Sequence, residues 1–239
     1  MKFWSNRTSI AVMLGLAAST ACFAAQTINV TSRGCVESDL NYHCGGDPAA
    51  NGNFYTGMYG GDHTEGRSFF VFDLTGVSGP ITTASIQLQM PPAGYGSSDP
   101  SETFAIFDYL LSPTGLQSAP ITAGGFADLG TGTQFGSVNL TPASQGTVVV
   151  INLNAAGITA ITNALGGKFA VGGAVTTLSG QTANDEAVFG STLNTATVQL
   201  VLNPPLPGTP VPPSVMLVGV GLVALAGWQL SRLQKPSAA

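Results

Sequence analysis

The sequence predicts an all-β fold, a β-sandwich of jelly-roll type, and three observations carry that expectation. Charged residues make up only 8% of the chain, while glycines number 31 and prolines 15. Such a composition suits short strands joined by tight turns better than a helical bundle. In Arg67-Ser-Phe-Phe-Val-Phe-Asp-Leu74, residues Phe70, Phe72 and Leu74 fall on one face and Arg67, Phe69, Val71 and Asp73 on the other, a strand with two partly apolar faces. After the turn Gly76-Val-Ser-Gly-Pro80, residues Ala84, Ile86, Leu88 and Met90 alternate with Ser85, Gln87 and Gln89, as in a strand with one buried and one wet face.

Residues 1–24 read as a Sec signal peptide. Lys2 and Arg7 supply its positive start, Ile10 to Ala18 an apolar stretch too short for a comfortable membrane span, and cleavage after Ala24 places small residues at Cys22 and Ala24. Acylation of Cys22 is the competing reading, although Ser19-Thr-Ala-Cys22 lacks the usual leucine. Removal of the signal leaves Cys35 and Cys44 in an exported chain, where a disulfide persists and closes a short polar loop. That bond stabilises by up to ~3 kcal/mol in the chain-entropy model. A metal site from Cys35, Cys44, His43 and His63 is the alternative, with a spacing that matches no zinc pattern.

The ectodomain, 25–203, opens with a strand at Thr27 to Thr31. Gly45 to Gly66 is a loop, and in it and just before it Tyr42, Phe54, Tyr55 and Tyr59 cluster as candidates for stacking on sugar rings; the competing reading is that they cover the end of the core. Strands follow at Thr103 to Asp108, Gln134 to Leu140, Phe169 to Thr177, Glu186 to Phe189 and Thr195 to Leu202. Thr147 to Leu153 is a β-branched run expected to be buried on both faces. One helix is expected, capped by Asn154, with Ile158, Ile161 and Leu165 on one face and Gly166-Gly167 at its end. Eight or so strands at these intervals fit the sandwich.

Residues 204–213 form a proline-rich spacer that cannot continue a sheet. Residues 214–231 carry no charge and approach the length of a membrane span, followed by Arg232 and Lys235 in the tail 232–239, which the positive-inside rule places in the cytoplasm. The chain is thus expected to leave the cell by the Sec route and to remain as a single-pass surface protein or be released.

Charge narrows the partners. All twelve acidic residues lie between Glu37 and Glu186, against Arg33, Arg67 and Lys168, which leaves the central region at −9. Nucleic acid is therefore disfavoured, and cations or neutral polymers are preferred. The expected function is a non-catalytic surface or extracellular-matrix protein that binds carbohydrate or another surface polymer. The alternative is a glycan-cleaving enzyme using paired carboxylates, drawn from Asp99, Glu102 and Asp108 or from Asp185 and Glu186. Neither a nucleophile elbow, a His-Glu-x-x-His helix nor a phosphate-cradling loop occurs, so no catalytic residue and no cofactor is assigned. A calcium-stabilised domain is a further reading, because Asp47, Asp62, Asp185 and Glu186 offer hard oxygen ligands, though in no recognisable loop motif.

The C-terminal thirty residues resemble the PEP-CTERM class of bacterial exported proteins, in which a short proline motif, one membrane helix and a basic end are recognised by an exosortase. Val211, Pro212, Pro213 and Ser214 stand where that class usually carries Val-Pro-Glu-Pro, and two spaced basic residues stand for its arginine cluster. The resemblance implies an exosortase-like processing partner and an ectodomain released or held at the surface, often among exopolysaccharide. Arg67 to Leu74 with Ile81 to Leu88 also resemble strand pairs of bacterial extracellular sandwiches related to carbohydrate-binding modules, which implies a surface glycan as ligand.

Overall fold

The computed structural model describes residues 25–40, 52–58, 64–117, 121–179, 185–190 and 196–203. They form an all-β domain built on a curled antiparallel sheet, with strands β1 (Gln26–Glu37), β2 (Thr56–Met58), β3 (Glu65–Asp73), β4 (Ala84–Gln89), β5 (Tyr95–Ser97), β6 (Glu102–Asp108), β7 (Gln134–Leu140), β8 (Val148–Asn152), β9 (Lys168–Val175), β10 (Glu186–Val188) and β11 (Val198–Leu202). Two short helices, α1 (Ala123–Asp128) and α2 (Ala155–Asn163), lie between strands. The expected signal peptide, the proline-rich spacer and the apolar C-terminal stretch lie outside the described residues; within these, no helix is long and apolar enough to cross a membrane.

The long strand β1 joins the two halves of the sheet. Its start pairs with β11, Ile28 opposite Leu200; from Val30 onward it pairs with β3, with a register shift between Val30 and Ser32 and Arg33 opposite Phe70. A bulge of this kind bends and twists the strand, and here it lets one strand serve both halves. One half runs β1-β11-β4-β8; the other continues from β3 to β9, β6 and β7, and through β2 to β10 and β5.

The strand Glu65–Asp73 has the predicted two-sided character, and the structure supplies the reason. Phe70, Phe72 and Leu74 enter the main core with Ile86, Leu88, Phe104, Ile106, Ile151, Val171 and Leu200. Phe69 and Val71 enter a second cluster, with Val36, Leu116, Ile121, Leu129 and Ala170, formed where the segment after β6 folds back over the outer face. Burial of each such side chain stabilises the fold by about 1.5–3 kcal/mol. Arg67 joins that outer layer: its guanidinium lies 4.5 Å from the Phe126 ring centroid, donates to the carbonyl of Ala127 at 2.9 Å and pairs with Glu65 at 2.7 Å.

Two expectations are corrected. The strands on either side of the Gly76–Pro80 turn do not pair with each other: β3 lies between β1 and β9, whereas β4 lies between β11 and β8, so the turn carries the chain across the core. The run Thr147 to Leu153 is not buried on both faces. Val149 and Ile151 point into the core, but Val148 and Val150 are 51% and 46% exposed, because among the described residues β8 is an edge strand whose outer face is left uncovered. Its unbroken apolar run resembles a central strand in composition only.

The helix α2 forms as its sequence requires. The Asn154 side chain accepts the N–H of Gly157 at 3.1 Å, satisfying one of the donors left open at a helix start, and its amide donates to the carbonyl of Gln134 at 2.8 Å. Ile161 is buried and Ile158 and Leu165 pack against the core, while Gly166, at φ +79°, ends the helix.

Candidate functional site

The loop aromatics behave differently from the stacking expectation. Phe54 has no exposed surface; it meets Phe70 edge-on at 5.3 Å and Phe189 at 5.5 Å. Tyr55 is 7% exposed and its hydroxyl donates to Glu37. Phe54 belongs to the main core and Tyr55 packs on Cys35, so neither ring offers a face for a sugar to stack on; Tyr42 and Tyr59 lie outside the described residues. Behind Phe54 sits the buried Arg33, its guanidinium 5.1 Å from the ring centroid and donating to the carbonyl of Ala196. Burial pushes the Arg33 pKa below its usual range. Cys35, on the same strand, is buried and disulfide-bonded; Cys44, with His43, His63, Asp47 and Asp62, lies outside the described residues.

The candidate carboxylates are brought together in part. Glu102 and Glu186 are both without exposed surface. Ser97 links them: its Cα is the ladder partner of Glu186 across β5 and β10, and its hydroxyl donates to Glu102 at 2.6 Å. Glu102 also accepts from the Thr177 hydroxyl, and Glu186 accepts from the Ser179 hydroxyl and from its N–H at 2.8 Å. The pair therefore ties strand ends together with charge-assisted hydrogen bonds. Nearby Tyr95 donates to the carbonyl of Asp99 at 2.7 Å, and burial raises its pKa, with Glu102 and Asp99 adding to the rise. Asp185 accepts the Ser98 N–H at 3.1 Å through its backbone. Asp108 stands apart, on the far end of β6. Among the described residues, no group of three or more His, Cys, Asp or Glu side chains is placed to hold a metal ion.

Asp108 belongs to an open cleft of about 530 Å³ whose walls come from four separate stretches of sequence. The segment after β6 gives Tyr109, Leu110, Leu111 and Pro113; β7 gives Phe135; α2 gives Thr159 and Asn163; and β9 gives Lys168 and Phe169. The floor is aromatic, because Phe135 stacks on Phe169 at 6.3 Å and Phe169 on Phe72 at 6.4 Å. Two carboxylates shape the wall. Asp108 accepts the Thr133 N–H at 2.8 Å, and Asp128 accepts those of Leu110 at 2.8 Å and Leu111 at 3.3 Å. Leu110 and Leu111 are thereby presented at 77% and 47% exposure. Lys168 stands on the rim, opposite Asp73 in the ladder of β9 with β3. Asp73 accepts from the side chain and backbone of Thr75, which hold its carboxyl below the usual range, with Lys168 adding to that effect.

Apolar walls, an aromatic floor and a few amide, hydroxyl and charged groups at the rim are what a small-ligand or sugar site needs. The cleft is not local in sequence: only the fold brings residues 108–113, 133–135, 156–164 and 168–170 together. Its one local signal was the pair Leu110-Leu111 among turn residues. No protein-family model matches the chain, and no curated protein matches it.

Proposed function

We propose that the chain is an exported, non-catalytic cell-surface or extracellular-matrix protein. Its ectodomain, a β-sandwich of jelly-roll type closed near its start by a Cys35–Cys44 disulfide, binds carbohydrate or another surface polymer. The signal at 1–24 sends it through the Sec route, and the tail around Val211, Pro212, Pro213 and Ser214 is handled by an exosortase-like enzyme. The curled sheet around one main core supports the sandwich reading.

The observation that carries the binding reading is the open cleft, in which Tyr109, Leu110 and Leu111 stand beside Thr159, Asn163 and Lys168. Sugars present an apolar ring face and a hydroxyl edge, and this wall offers a counterpart to each. The non-catalytic reading is supported by the other acids: Glu102 and Glu186 are sealed from solvent and occupied by hydroxyls, while Asp108 and Asp128 hold loop amides. Screening the full chain against a carbohydrate array tests the proposal. Retention on a neutral glycan that is lost in Tyr109→Ala is expected; no retention on any glycan, or retention unchanged in that variant, contradicts it.

A further inference from the structure

We propose that two copies of the chain associate through the free edge of β8, pairing antiparallel about a two-fold axis so that the sheet of one continues into the other. The geometry of the edge comes first. Met90 donates to the carbonyl of Thr147 and Leu153 to that of Ala84, at 2.9 Å each, which fixes the parity of the β4–β8 ladder. Residues 147, 149, 151 and 153 face β4, so the N–H and C=O groups of Val148 and Val150 point away from it. No backbone partner receives them among the described residues.

The neighbouring strand β7 covers only one end of this edge. A Cβ on Gly136 would lie 2.5 Å from the carbonyl oxygen of Asn152, so the two strands touch there, and Asn154 donates to the carbonyl of Phe135 at 2.7 Å. From that point β7 pairs with β6 and β8 with β4, and no strand pairing joins Val148 to Val150 to β7 among the described residues. The usual guards of an edge are missing too: Val148-Val-Val-Ile-Asn152 contains no charge and no proline, and its outer side chains are apolar and half exposed.

Charge selects a second copy as the occupant. The chain carries a net charge of −5, so most approaches between two copies are repulsive. The half-sheet of β8, β4, β11 and the start of β1 has no charged residue, nor does any position between Asp128 and Lys168. Its outer face is instead a grid of Asn29, Gln199, Gln87 and Val150 in one row, with Gln89 and Val148 beside it. Two copies can meet at this edge without opposing like charges.

A two-fold axis through Val149 places Val148 of each copy opposite Val150 of the other, and each of these two pairs exchanges two N–H···O bonds. Alternative registers centred further along the strand run into the end covered by β7. Three residues on each side make a small contact, well below the ~1,200 Å² of a stable interface, so the dimer exchanges and depends on concentration.

Sedimentation velocity of the full chain, in non-ionic detergent, tests this. The weight-average mass is expected to rise from monomer toward dimer as concentration increases. Val150→Pro removes an outward N–H that the β4 ladder does not use, and Val148→Lys with Val150→Lys sets like charges opposite each other across the axis; both are expected to hold the chain monomeric with an unchanged circular dichroism spectrum. A wild-type chain that stays monomeric throughout overturns the proposal, as does a dimer that survives in the folded variants.

Discussion

The carboxylate of Asp128 accepts the backbone N–H of Leu110 at 2.8 Å, so the most exposed leucine in the described chain stands on a fixed loop. The same oxygen accepts Leu111, and the last turn of α1 thus shapes the wall of the cleft. Asp128→Ala removes the acceptor for two amides, at about 1.5–3 kcal/mol by the usual worth of hydrogen bonds to charged groups. Urea unfolding is expected to show that loss, and glycan retention is expected to fall with it. Asp128→Asn, which keeps one acceptor, is expected to recover part of both.

Both faces of β3 are core. Phe72→Ala is expected to cost ~3–5 kcal/mol, because the ring has no exposed surface and stacks on Phe169. Phe69→Ala, on the opposite face, is expected to cost a similar amount. A denaturant melt in which either change costs less than about 1 kcal/mol removes that face from the core.

Tyr95 sets a pH dependence. Its pKa is raised in the fold, chiefly by burial, so the protonated form is favoured there more than in the unfolded chain. The stability it contributes is therefore fully present below the unfolded value of about 10 and is lost as pH rises through the higher folded value. Thermal melts are expected to fall above that pH. Tyr95→Phe is expected to flatten the fall, while losing about 1 kcal/mol at neutral pH with the hydrogen bond to Asp99.

Asn154 performs two jobs, capping α2 and tethering it to β7. Asn154→Ala is expected to cost about 1–2 kcal/mol; Asn154→Asp retains the cap but not the donor to Gln134 and is expected to lie between. Chemical denaturation of the three proteins side by side gives the order.

What the sequence made legible was local. Alternation placed Phe70 and Phe72 against Phe69 and Val71 correctly, and the Asn154 cap and Gly166 stop bounded α2, because neighbours along the chain settle both. Partners were not legible, since the register of β3 with β9 joins residues a hundred positions apart. The second half of β1 escaped notice for a different reason. Ser32-Arg-Gly-Cys-Val-Glu37 reads as polar surface, yet it is fully enclosed, with Arg33 lying against Phe54 and Glu37 bonded to Tyr55. Those same contacts bury Phe54 and Tyr55, whose loop composition taken alone has the character of exposed aromatics. The edge character of β8 depends on which strand lies beside it, and composition does not carry that.

The cleft is the centre of this account, and hydrogen–deuterium exchange of the full chain tests it most directly, with and without a glycan retained on the array. Added protection confined to residues 108–113, the exposed turns of α2 and the start of β9 is the predicted result. Protection that appears elsewhere while these segments exchange unchanged would contradict it.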